Sequence, residues 1–240
     1  MQERDYFGRY DTKEQELNRV SSFSVLMRKV YTWMAMALVI TGVTAYGVAN
    51  SPALIQAIYG NPVLFFVLII GELALVWGVS ARIHKLSLTT ATLLFILYSV
   101  INGVTLSSIF IVYASSTISE AFLITAGTFG GMSILGYTTK RDLSKLGSYL
   151  LMALIGIIIA SVVNIFLKSS GFDLILSYLV VLVFVGLTAW DTQNIKNMLE
   201  VEGDTGEGAQ KVALLGALTL YLDFINLFLH ILRILGNSRD

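Results

Sequence analysis

Residues 214–235 read LLGALTLYLDFINLFLHILRIL. The run is long and apolar enough for a helix crossing a bilayer, which takes about 20 mostly apolar residues. One acid, Asp223, sits near its middle, too deep for a short side chain to reach water. Asn226, His230 and Arg233 follow it at i+3, i+7 and i+10. At about 100° per residue the four share one helical face. A polar stripe on an otherwise apolar helix cannot face lipid, so it is expected to face a bundle interior or a wet cavity.

The rest of the chain supports that reading. Its 240 residues are 55% apolar and only 13% charged, and its mean hydropathy is +0.75. A globular domain carries about 25% charged residues. So few charges cannot cover a water-facing surface, and a disordered chain would be richer in charge and poorer in apolar residues. No cysteine is present, which excludes disulfides, zinc thiolates and thiol nucleophiles. Lys+Arg and Asp+Glu both number 16, leaving no net field to attract nucleic acid. An integral membrane protein is the class that remains.

Seven apolar runs are predicted to span: residues 31–48, 62–81, 89–113, 120–136, 146–166, 172–190 and 213–235. The sixth has no breaker after Trp190 and is expected to continue to about Met198, leaving residues 200–208 as the loop before the seventh. Residues 1–28 read as a retained cytoplasmic tail without a cleavage site, 29–236 as the seven-helix domain and 237–240 as a short tail. With the N-terminus inside, 13 of the 16 basic residues face the cytoplasm, and only Lys168, Arg233 and Arg239 fall outside. A re-entrant last helix would also fit. Gly127 with Gly131, and Gly156 with Ala160, are the expected close-packing pairs. Trp33, Trp77 and Trp190 are expected as interface anchors. Only two prolines and no visible inverted repeat argue against a repeat-built transporter.

Ionisable groups within spans need a physical reason. Asp223 comes first. Asp191 comes next, on a face with Thr188 and Asn194, one to two turns inside the expected end of its helix. An antiparallel partner would bring it toward Asp223. Glu72, in the middle of the second span, needs a partner or a proton. Glu72, Asn226 and His230 are candidates for an ion path, with His230 better suited to a hydrogen bond in the outer half. Arg82 ends the second span, either snorkelling to the surface or turning inward to a carboxylate. Two carboxyls in one low-dielectric site cannot both ionise cheaply, so they titrate as a pair. Ionised, they are hard oxygen ligands suited to Ca²⁺; sharing a proton, they lock by a hydrogen bond. A pH-switched cation site is the expectation, with Asp191 and Asp223 as both sensor and metal ligands, no resident cofactor, and Ca²⁺ and protons as its partners along with the lipid bilayer.

The stretch Leu220-Tyr221-Leu222-Asp223-Phe224-Ile225-Asn226-Leu227-Phe228 resembles the signature of the Bax inhibitor-1 family, the transmembrane Bax inhibitor motif proteins. Trp190-Asp191-Thr192-Gln193-Asn194-Ile195 is similar to that family's second Asp motif, with Trp190 where Tyr is common. The resemblance covers nearly the whole chain after about residue 20. It implies a seven-helix bundle with the last helix central, and a pH-sensitive Ca²⁺ leak. It maps the two-Asp sensor onto Asp191 and Asp223, and a closed-state counter-ion onto Arg82. A monomer in a bacterial inner membrane is expected, since the N-terminal tail is short and no N-x-Ser/Thr sequon occurs.

Two other classes stand beside this one. An intramembrane aspartyl protease also carries acids on its sixth and seventh helices. Its Gly-x-Gly before the second Asp is replaced here by Tyr221-Leu222, and the one Pro-Ala-Leu element, Pro52-Ala53-Leu54, precedes both acids. A rhomboid-like serine site fails at Ser133, which lacks the following Gly. A non-conducting modulator of another membrane protein, such as a protease, is the third class.

Overall fold

The computed structural model describes residues 2–202 and 204–237, with side chains from Ser21 onward. Among these residues the regular structure is all helical: α1 Gln2–Ala49, α2 Pro52–Tyr59, α3 Pro62–Arg82, α4 Leu88–Leu106, α5 Ile109–Val112, α6 Ser115–Thr138, α7 Ser144–Leu167, α8 Ser170–Glu202 and α9 Glu207–Asn237. Seven stretches are long and apolar enough to cross a membrane: residues 21–49 of α1, then α3, α4 with α5, α6, α7, α8 and α9. This is an integral membrane protein built as an all-α bundle.

Local chemistry sets the helix ends. Pro52 and Pro62 occupy first turns, where a missing N–H costs nothing. Asn61 Oδ1 accepts from the Val63 and Leu64 amides and caps α3. Ser87 caps α4 through the Thr90 amide. The uncharged connection after α1 therefore contains a short helix, where only a loop was expected.

The third predicted span is not continuous. Its helix breaks between Leu106 and Ile109, where Ser107 Oγ donates to the Val104 carbonyl at 2.7 Å. Tyr59 of α2 fills the break, donating to the Thr105 carbonyl (2.8 Å) and accepting from the Ser108 amide (3.1 Å). One phenol thus satisfies the backbone groups that the break exposes.

The boundary expected at residue 28 lies within α1, which runs through it unbroken. Of the expected C-terminal tail, Asn237 closes α9 and 238–240 lie outside the described residues. α8 continues to Glu202 and α9 begins at Glu207, so much of the loop expected over 200–208 is helical, and among the described residues only 204–206 lie outside the two helices. Lys196–Glu200 and Lys211–Glu207 pairs at i,i+4 support the added turns.

Burial separates the helices. In α9, 67% of the most apolar window is buried, against 44% in α8 and 6% in each of α3 and α7. α9 packs on α1, α4, α6 and α8, whereas α3 leans chiefly on α4 and α7 on α8. The exposed faces of α3 and α7 carry Val63, Phe66, Ile70, Ile158 and Phe166, an apolar surface suited to lipid. At one end, Lys29 Nζ donates to Gln210 Oε1, the Leu88 amide to Glu207 Oε1, and Gln193 Nε2 to the Arg141 carbonyl. These bonds gather the α3–α4, α6–α7 and α8–α9 connections and their basic residues at one end of the bundle.

The close helix contacts are not the expected ones. Gly127, Gly131 and Gly156 have open space where a Cβ would stand. Gly136 instead packs on the Ala189 backbone, Gly147 on the Trp190 indole, Gly103 on the Thr41 carbonyl and Gly216 on Ile195. Spacing alone could not show this, because it does not say which helix face meets another helix. Trp190 is consequently partly buried between α7 and α8, while Trp77 stays 71% exposed on α3. Overpacking of this kind costs about 1–3 kcal/mol. Gly136→Ala and Gly147→Ala should each lower the unfolding temperature of the detergent-solubilised protein. Gly127→Ala and Gly156→Ala should leave it unchanged or raised. Equal behaviour of the two sets would refute this packing.

Candidate functional site

α8 and α9 run antiparallel through a tight connection and form the most extensive helix pair. Gly216 lets them approach: a Cβ there would stand 2.9 Å from Ile195 Cγ2. Asp191 lies one turn above Ile195 on α8, and Asp223 two turns above Gly216 on α9. Measured from that contact, the acids lie about 6 and 10.5 Å along their helices on the same side, within a turn of each other in height. Asp191 is about three turns from the end of α8, deeper than the one to two turns expected, because α8 is longer.

The two carboxyls are in hydrogen-bonding contact. Asp223 is 4% exposed, and its Oδ2 meets no N–H or O–H donor. Asp191 is half-buried. Thr188 and Thr192 lie nearby on α8, but their hydroxyls are committed to the Phe184 and Thr188 carbonyls. No ion pair among the described residues neutralises either acid. Two carboxylates both accept, so they can bond only when one carries a proton. Without it, two unit charges about 4 Å apart repel by roughly 4 kcal/mol at an effective dielectric near 20.

Two further contacts hold the surroundings. Gln193, 9% exposed, accepts from the Leu143 amide and donates to the Arg141 carbonyl, both at 2.8 Å. It ties the α6–α7 connection to α8 just beyond Asp191. In that connection, hydrogen bonds from the Ser144 side chain and then its amide hold the Asp142 carboxyl below the ordinary carboxylate range, so it keeps its charge through mild acid. On the other side of α8, Tyr31 of α1 hydrogen-bonds Ser133 and Thr192.

The remaining predicted residues lie apart from the pair. Arg82 is exposed at the basic end of α3, a helix that packs on α4 rather than on α8 or α9. It makes no ion pair among the described residues, so the closed-state counter-ion role does not match its position. The helix it belongs to is peripheral, which hydropathy could not reveal. Asn226 turns its amide to the Leu222 carbonyl of its own helix. His230 Nδ1 lies 3.3 Å from Ser177 Oγ, a local α8–α9 contact. Arg233 pairs with Asp173 at 2.9 Å at the end opposite the basic one. The stripe on α9 is thus a row of separate partnerships, and its members grow more exposed toward the C-terminus. Asn194 also points out, leaving Thr188 and Asp191 as the buried part of the α8 face.

Glu72 has found partners: Thr105 Oγ1 at 2.6 Å and the Asn102 amide at 3.3 Å. Asn102 in turn meets Tyr221 Oη at 2.8 Å, and Tyr221 meets Thr41 Oγ1 at 2.7 Å. Sequence reading missed Asn102, Tyr221 and Thr41 as a group. Their signal was present, since an Asn within a span needs a partner as much as an acid does.

With two carboxyls and no third His or acid clustered beside them among the described residues, a Ca²⁺ at the pair would draw at most four protein carboxylate oxygens. Water would complete the shell of six to eight, which suits a passing ion better than a stored one. A proton shared by the two carboxyls would set a stability profile. Folded-state stability should fall as pH rises from acid, because proton loss leaves two anions in contact. Asp223→Asn supplies a permanent N–H to Asp191 and should flatten that slope in thermal unfolding across pH. An unchanged slope would show that the proton resides elsewhere.

The family profile described as "Bax1-I: Inhibitor of apoptosis-promoting Bax1" matches residues 24–240. The inner membrane protein YbhL of Escherichia coli (strain K12) is 50% identical over 236 residues, covering 98% of this chain and all of that protein. A protein of Borreliella burgdorferi is 46% identical over 94% of this chain and 97% of its own length. The protein RP147 of Rickettsia prowazekii is 43% identical over 89% of this chain and 90% of its own.

Proposed function

The chain belongs to the Bax inhibitor-1 family, and from that premise we propose that it is a pH-sensitive Ca²⁺ leak protein gated by Asp191 and Asp223. The observation that carries the reading is the contact between two carboxyls within spanning helices, one of them leaving an oxygen without a donor. A shared proton joins α8 to α9 and closes the path. When it leaves, two anions stand in contact and either part or admit a cation. Ca²⁺ is favoured because both groups are hard oxygen donors and a divalent ion neutralises both charges.

Sidedness follows from the charges. The basic residues gathered at one end support a cytoplasmic position for that end and the N-terminus, by the positive-inside rule. A bacterial inner membrane is the proposed location, in line with the inner-membrane relative.

The direction of regulation is fixed by the proton. Acid favours the bridged, closed pair, and rising pH favours cation entry. Occupancy and permeation part company when a site binds too tightly, so flux should peak at intermediate pH and fall beyond it. The test is Ca²⁺ entry into liposomes holding the purified protein, scanned across pH. Asp191→Asn and Asp223→Asn should each flatten the profile and change the flux by about tenfold or more, the scale of a 1.4 kcal/mol effect. A profile unchanged in both variants would remove the sensor assignment, and complete absence of flux in the wild type would remove the leak.

A further inference from the structure

The polar cluster between α3, α4, α9 and α1 carries an inference of its own, drawn from counting protons. Three contacts run in series from Asn102: its Oδ1 to Tyr221 Oη at 2.8 Å, Tyr221 Oη to Thr41 Oγ1 at 2.7 Å, and Thr41 Oγ1 to the Ser99 carbonyl at 3.0 Å. With Asn102 Nδ2 turned to Glu72, as an ionised Glu72 demands, Asn102 can only accept from Tyr221. The Ser99 carbonyl can only accept from Thr41. Two hydroxyl protons must then serve three contacts, and the Tyr221–Thr41 contact is left without one.

Turning the Asn102 amide by 180° removes the shortage. The amide oxygen and nitrogen are nearly the same size, so the turn needs no new space. Asn102 then donates to Tyr221, Tyr221 to Thr41, and Thr41 to Ser99, and each contact holds one proton. The turn presents Asn102 Oδ1 to Glu72 Oε2, and those two oxygens can bond only through a proton on Glu72. Thr105 Oγ1 shares its one proton between Glu72 Oε1 (2.6 Å) and the Asn102 carbonyl (3.0 Å) in both states. One added proton therefore completes the series from Glu72 through Asn102, Tyr221 and Thr41 to Ser99.

We propose that Glu72 and Asn102 form a second proton-binding site, in which a proton on Glu72 turns the Asn102 amide and redirects Tyr221 donation from α4 to α1. Each of these distances is kept in both states; only donor direction changes. The site is distinct from the carboxyl pair. Tyr221 and Asp223 are two residues apart on α9 and so point to opposite sides of it, one toward α1 and α4 and the other toward α8. The titratable groups facing Glu72 are the phenols of Tyr98 on α4 and Tyr221 on α9, with Tyr59 on α2 bonded to the neighbouring Thr105 carbonyl. No Lys, Arg or His pairs with Glu72 among the described residues, and Arg82 of its own helix lies ten residues away, about 15 Å. No basic side chain among the described residues thus competes with a proton for Glu72. The site does not depend on the leak reading.

The experiment is pH-difference infrared spectroscopy on the purified full-length protein with ring-labelled tyrosine, Tyr221→Phe assigning the Tyr221 band. To separate the two sites it is run in an Asp191→Asn/Asp223→Asn background as well. A carboxylic-acid C=O band should appear on acidification in that background and vanish in Glu72→Gln. The Tyr221 band should shift in the same pH step. Glu72→Gln is a folding-tolerant mimic of the protonated acid, since its N–H can donate to Asn102. It should fix the Tyr221 band at its acid-form position at all pH values. A Tyr221 band that still titrates in Glu72→Gln, or that rests at its alkaline position there, would overturn the proposal. So would a Tyr221 shift that disappears with the two Asp→Asn changes while Glu72 is intact.

Discussion

Two carboxyls pressed together inside a bundle are the constraint on which the rest of this molecule turns. Burying an unpaired anion is costly, and burying two in contact is costlier still unless a proton or a cation joins them. No basic side chain among the described residues performs that task for Asp191 and Asp223. On the proposed reading, the joint between α8 and α9 is therefore conditional on what the solution supplies. Much of the surrounding architecture keeps that joint in register. Gly216 against Ile195 sets the approach, Gln193 holds the neighbouring connection, and α9 is enclosed by α1, α4, α6 and α8.

The polar groups elsewhere on α9 have a different character. His230 with Ser177 and Arg233 with Asp173 are local links toward one end of the same helix pair. The Arg233–Asp173 pair is exposed on both sides and is worth about 0–1 kcal/mol at most. Tyr221 faces away from the acids, toward α1 and α4. α9 thus presents a carboxyl to one neighbour and a phenol to two others within a single turn. Both proposed proton sites therefore bear on the same helix.

Much of this was legible from the residues. The seven spans followed from hydropathy, and the prominence of Asp191 and Asp223 followed from the cost of charge in lipid. Their meeting could be anticipated because an antiparallel pair with a modest loop has few alternatives. What escaped was everything that depends on which face of a helix meets which neighbour. Gly127 and Gly156 have the spacing of packing residues yet look into open space, whereas Gly136 and Gly147 do the packing. Arg82 has the right depth for a counter-ion but sits on a peripheral helix. The break at Ser107 needed Tyr59, more than forty residues away, to satisfy its backbone. Asn102 was visible as a polar residue within a span, but its role needed the three-dimensional chain from Glu72 to Thr41.

The central claim is that one proton and one cation compete for the Asp191–Asp223 pair. The most direct test is proton release on adding Ca²⁺ to the purified protein in weakly buffered detergent solution, followed with a pH indicator at mildly acidic pH. About one proton should be released for each Ca²⁺ bound, the exchange expected when deprotonation and metal binding are linked. Release should vanish in Asp223→Asn. Ca²⁺ binding without proton release in the wild type, or equal release in Asp223→Asn, would contradict the account.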